Sequence, residues 1–127
     1  MRFQLKFLIG SALSMFLLNC YAITVQVQVV KPGEEIRAFG FTVAGKRSGE
    51  RCSTCDGQRC CVSSKSGLPA GEYSFGLRLN SLIGGDDVSC LVKAGTATTP
   101  VTKDSSVVLI YNKSTNACRA MVRGIKK

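Results

Sequence analysis

From Ile23 onward, apolar and polar residues alternate with a period of two almost to the end of the chain, as in strands that bury one face. Ile23, Val25, Val27 and Val29 form one face of a first strand, with Thr24, Gln26 and Gln28 on the other. Lys31-Pro32-Gly33 ends it, because proline fixes its own backbone angle and lacks the N–H that a ladder needs. Phe39, Phe41 and Val43 line a second strand, closed by Gly45. Leu68-Pro69-Ala70-Gly71 predicts a turn into a strand with Tyr73, Phe75, Leu77 and Leu79 on one face. Gly84-Gly85-Asp86-Asp87 predicts a further turn with its acids at the tip, then a strand from Val88 to Ala94 and a polar loop over 95–100. Ser106 to Tyr111 reads as a buried strand, Asn112 to Asn116 as a turn and Ala117 to Val122 as the last strand. Beyond residue 22 no window repeats its apolar residues at the helical period. The expectation is all-β: one antiparallel, Ig-like β-sandwich of six or seven short strands over 23–127. Phe39-Gly40-Phe41 and Phe75-Gly76-Leu77 echo each other without amounting to a repeat.

Gly67-Leu68-Pro69-Ala70-Gly71-Glu72-Tyr73-Ser74-Phe75 resembles the turn-into-strand of Ig-like and prealbumin-like modules of exported bacterial proteins. The resemblance covers nine residues and implies a sandwich. It implies no activity, because such folds host many functions.

The first 22 residues have a different character. Arg2 and Lys6 precede an apolar run from Phe7 to Leu18, and Cys20-Tyr21-Ala22 offers small residues for a signal peptidase. The run is shorter than the roughly 20 apolar residues of a spanning helix. The expectation is a cleavable signal peptide, 1–22, and a secreted or periplasmic protein with no membrane span. Two alternatives stand beside it: acylation of Cys20 within Leu17-Leu18-Asn19-Cys20, to which Asn19 is a poor fit, and an uncleaved anchor. Cleavage after Ala22 discards Cys20 and leaves six cysteines, Cys52, Cys55, Cys60, Cys61, Cys90 and Cys118, an even set.

Four of those six fall within Cys52-x-x-Cys55-x4-Cys60-Cys61, which predicts a disulfide-knotted loop over 46–66 between two strands. Cys90 is expected to pair with Cys118, closing a long loop at a gain of roughly 3.5 kcal/mol if chain entropy dominates. Cys55 then pairs with Cys60 or Cys61, and Cys52 with the other. A four-thiolate zinc site is the sharper alternative, but neighbouring side chains in an extended chain point apart, which strains a tetrahedron. A dithiol redox role for Cys52-Ser53-Thr54-Cys55 needs a helix start that Gly49 and Gly57 argue against. No metal and no cofactor are expected.

Charge and chemistry narrow the function class. Taking Arg2 and Lys6 from the seventeen basic residues, against eight acidic, leaves a net charge of +7. The chain has no histidine, so the commonest general base near neutral pH is missing and catalysis is not expected. Residues 46–65 carry Lys46, Arg47, Arg51, Arg59 and Lys65 against Glu50 and Asp56. A disulfide frame lowers the entropy cost of binding, and arginine grips carboxylate, sulfate or phosphate with two prongs. The expectation is therefore a binding protein that presents this basic loop to an acidic protein, glycan or membrane surface. The alternative is an inhibitor of a secreted hydrolase, with Arg51, Arg59 or Lys65 entering a trypsin-like pocket. Arg119, Met121 and Arg123 share a face of the last strand, where such charges guard a sheet edge. Nucleic acid is not an expected partner, because Phe39, Phe41, Tyr73 and Phe75 face inward rather than offering stacking surfaces. Oligomeric state is not legible in the sequence.

Overall fold

A computed structural model describes residues 22–81 and 84–125. The expected signal peptide and the alternatives at Cys20 lie outside the described residues, apart from Ala22. The described chain contains eleven strands. In order they are β1 (Ile23–Val29), β2 (Ile36–Val43), β3 (Lys46–Arg51), β4 (Ser53–Cys55), β5 (Gln58–Cys60), β6 (Val62–Leu68), β7 (Gly71–Ser81), β8 (Gly84–Leu91), β9 (Thr98–Val101), β10 (Ser105–Asn112) and β11 (Ala117–Gly124). Nine of them make one sheet along the path β3-β2-β7-β8-β11-β10-β1-β6, with β9 pairing the start of β7 beside β8.

The alternation read from the sequence sets the inner face. Ile23, Val25, Val27 and Val29 of β1, Phe39, Phe41 and Val43 of β2 and Tyr73, Phe75, Leu77 and Leu79 of β7 are buried, with Val107 and Leu109 of β10 and Ala120 of β11. Phe41, Tyr73 and Phe75 pack together, with ring centroids 5.5 to 6.4 Å apart. Tyr73 is fully buried, and its hydroxyl donates to the Pro69 carbonyl at 2.6 Å. That bond satisfies the phenol and fixes the turn entering β7, in the manner of a tyrosine corner.

The sheet departs from the antiparallel sandwich expected for it. β1 pairs β10 in parallel over five residues, and β11 meets β8 in parallel at Cys118↔Cys90 and Arg119↔Leu91 only. The path also curls until its two edges, β3 and β6, face each other, giving a nearly barrel-shaped mixed sheet. No backbone ladder joins those edges. Instead Glu50 and Lys65, both on the inward-facing side by register with Phe39 and Val25, form an ion pair at 2.8 Å across the seam. The Cys52–Cys61 disulfide bridges the seam at one end.

Several other expectations are corrected. Residues 46–66 are not a loop: β3 and β6 are edge strands of the main sheet, and β4–β5 form a small hairpin between them. Their alternation was hidden because the seam-facing positions Ser48, Glu50, Ser63 and Lys65 are polar. Asp86 and Asp87 belong to β8 rather than a turn, and the segment after it contains β9. β11 is an edge strand in part: β10 flanks it throughout, but β8 pairs it at Cys118 and Arg119 only, so its stretch from Ala120 to Gly124 is laddered on one side.

Cys90 pairs with Cys118, Cys52 with Cys61 and Cys55 with Cys60. Cys90 and Cys118 are buried where β8 and β11 share their two-residue ladder, so this bond secures the shortest junction of the path. Replacing both by alanine is expected to cost about 3.5 kcal/mol, against about 2 kcal/mol for Cys55 and Cys60, whose loop is shorter. Urea midpoints of the two double variants check the order.

Candidate functional site

Two short turns shape the cation-bearing segment. Ala44-Gly45 between β2 and β3, and Asp56-Gly57 between β4 and β5, both have positive φ at their two central residues. This is the signature of type I′ turns, whose twist matches that of the flanking strands. The β4–β5 hairpin is held by the Cys55–Cys60 bond and closed at its base by Cys52–Cys61. Its base is tied to the end of β1 and the start of β2, since Cys52 N–H donates to the Arg37 carbonyl and Val29 N–H to the Cys61 carbonyl.

The five cations named from the sequence divide by role. Arg59 is half-buried: its Nε donates to the Gly33 carbonyl at 3.1 Å and its Nη2 to the Ile36 carbonyl, which clamps the hairpin to the β1–β2 connection. Lys65 is held by Glu50 across the seam. Lys46, Arg47 and Arg51 are exposed along β3. Lys46 and Arg51 stand about 16 Å apart at the usual strand rise of ~3.3 Å per residue, so the structure does not gather all five on one loop. Arg47 and Arg51 do share the outward face of β3, in register with Thr42 and Ala38. Of the three side chains considered for a hydrolase pocket, Arg59 and Lys65 are engaged and Arg51 is exposed.

Beneath Arg47 lies a feature that the sequence reading did not identify. Gly40 and Gly76 are register partners, so the echo of Phe39-Gly40-Phe41 with Phe75-Gly76-Leu77 becomes a glycine pair between adjacent strands. A Cβ at Gly40 would run into the carbonyl oxygen of Ser48, and one at Gly76 would stand 3.1 Å from that of Val88. Glycine at these positions lets neighbouring backbone come close to the outer face. The result is an open groove of about 340 Å³, lined by backbone of β2, β3 and β7 together with Thr42, Ser74 and Ser89. Arg47, Arg78 and Asp87 also line it. The small outward residues of β2 and β7 (Ala38, Gly40, Thr42, Ser74, Gly76) were the available sequence signal.

Arg78 Nε donates to Asp87 Oδ1 at 3.0 Å across the β7–β8 ladder. That bond and the Arg78 charge hold the Asp87 carboxyl below its ordinary value, with a smaller contribution from Arg47. The groove therefore joins two guanidiniums, one carboxylate and several hydroxyls, a set suited to holding a polar anionic group rather than to proton transfer. Burial raises the pKa of the Tyr73 phenol, which lies in the core and away from this groove.

No family model, curated protein or solved structure matches this chain. Among the described residues no helix is long and apolar enough to cross a membrane, and no cluster of side chains suits a metal ion. The four clustered thiols are spent in disulfides, which suit a compartment outside the cytosol.

Two measurements check these assignments. Arg59→Ala is expected to lower stability by about 2 kcal/mol, because two charge-assisted bonds to backbone carbonyls are lost; the urea midpoint reads it. In a carboxyl NMR titration, Asp87 should titrate below the ordinary aspartate range. Arg78→Gln should move its midpoint upward, and Arg47→Gln should move it upward by less. A depressed folded pKa means that the stability linked to Asp87 is present above the unfolded value and lost as pH falls through the folded one.

Proposed function

We propose that this is an exported, non-catalytic binding protein that meets an acidic protein or anionic glycan surface with the exposed cations of β3. The observation that carries the reading is the division of labour in 46–65: Arg59 and Lys65 brace the segment, while Arg47 and Arg51 project from one face of the strand they brace. Both ends of β3 are fixed, by the Ala44-Gly45 turn and by the Cys52–Cys61 bond, so little conformational freedom remains to be lost on binding. Arg47 also borders the groove, where Arg78 offers a second guanidinium to the same anionic group. The absence of histidine from the sequence accords with binding rather than catalysis.

Retention of the disulfide-bonded protein on a sulfated-glycan matrix, eluted by rising salt, tests the reading. A variant with Lys46, Arg47 and Arg51 changed to Glu is expected to elute well before a control with Lys93, Lys103 and Lys113 changed likewise. Equal losses would reduce the effect to net charge and overturn a localised site, since screening acts on any exposed charge.

A further inference from the structure

A separate surface lies on the wall formed by β6, β1, β10, β11 and β8. Among the described residues five large apolar side chains are exposed, Val30, Val62, Leu91, Ile110 and Met121, at 37 to 62 % of their surface. The register places all five on the outer face in two neighbouring rows. One row runs Val30, Ile110, Arg119, Leu91: Ile110 pairs Arg119, Arg119 pairs Leu91, and Val30 N–H donates to Leu109, next to Ile110. The other runs Val62, Gln28, Val108, Met121. Arg123, paired with Ser106, lies just beyond. None of β1, β6, β10 and β11 contains an Asp or Glu.

Guarding a free edge accounts for arginines but not for the aliphatic side chains gathered around them. An apolar cluster with guanidiniums beside it, where the outward carboxylate of β8, Asp87, is already held by Arg78, is complementary to a surface that is apolar within and anionic at its boundary. The exposed side chains are aliphatic, with no aromatic anchor to fill a partner's pocket. They spread over the outside of a nearly closed sheet, and a fluid surface accommodates such a wall without a matching concavity. We infer that this wall seats the protein on an anionic phospholipid surface, with Ile110, Leu91 and Met121 at the acyl boundary and Arg119 and Arg123 on lipid phosphates. Long arginine stems bury their methylenes while the head groups reach the phosphates, and guanidinium holds phosphate with two prongs. This site is separate from the β3 arm and stands whether or not that arm binds glycan.

Sedimentation with vesicles tests it, using phosphatidylcholine alone and phosphatidylcholine with phosphatidylglycerol. The protein is used disulfide-bonded, and every variant carries the same N-terminus, so differences between variants isolate the wall. Partition is expected onto the phosphatidylglycerol vesicles and not onto phosphatidylcholine alone. Arg119→Gln with Arg123→Gln should weaken it about thirtyfold, and Ile110→Ser with Met121→Ser about tenfold. A β3 variant matched in charge to the arginine variant, Arg47→Gln with Arg51→Gln, should keep most of its binding, and thermal melts confirm that each variant is folded. The proposal is overturned if the folded wild type ignores both vesicles, which leaves the wall to a protein partner. It is equally overturned if the serine variant binds as well as wild type, or if the β3 variant loses as much as the arginine variant.

Discussion

A curled sheet must close somewhere, and in this protein the backbone ladder fails at two junctions. β3 and β6 face each other without pairing, and β8 meets β11 over two residues. A disulfide sits at each: Cys52–Cys61 at the end of the seam and Cys90–Cys118 within the short ladder. Much of the rest depends on this closure. The core is bounded by strands from both halves of the path, and without closure the inward faces of β1 and β2 would open to water along the seam. A domain of this size buries a modest fraction of its surface, so covalent closure replaces what a longer ladder would supply.

The seam also decides what the cations do. At an ordinary strand edge Lys65 and Glu50 would be solvated charges of little consequence. Here they meet across the gap between two edges from the inward-facing side, still 36 and 44 % exposed, so the pair lines the seam while the Cys52–Cys61 bond fastens it. Arg59 takes a similar part where the β4–β5 hairpin and the β1–β2 connection cross the same gap, donating to one carbonyl at each end of the 33–36 segment. Counting charges over 46–65 gives one basic loop; following their bonds gives a braced frame and a smaller exposed set on β3.

What was legible in the sequence follows from burial. β1, β2, β7 and the centre of β10 announced themselves because each buries one face, and a buried face imposes strict alternation. The Cys90–Cys118 pair was legible by elimination, since four cysteines were clustered elsewhere. β3 and β6 were illegible because their inward positions meet across a polar seam, and β9 because four residues including Pro100 carry too little pattern. Parallel pairing leaves no mark on alternation, so β1 beside β10 had no signal at all. At the candidate site, Lys46, Arg47 and Arg51 were found by charge, whereas Arg78 and Asp87 were missed because only the Gly40–Gly76 register brings them near Arg47.

That register bears on how a small sheet acquires two surfaces of different chemistry. On β2 and β7 the outward positions are small, so neighbouring backbone approaches and a polar groove forms. On β1, β10 and β11 the outward positions carry Gln28, Val108, Ile110 and Met121, which hold any partner off the backbone and present side-chain surface instead. Away from the polar seam the inner faces must be apolar for the core to form, so selection on them is selection for stability. Outer faces are free of that demand, and their departure from plain solvated polarity needs another cause. Glycine pairing on one wall and aliphatic exposure on the other both cost stability or solubility that neutral polar residues would preserve. The glycine pair has its cause inside the fold, because the Ser48 and Val88 carbonyls stand where its Cβ atoms would go, and the aliphatic wall is what the proposed lipid contact would account for.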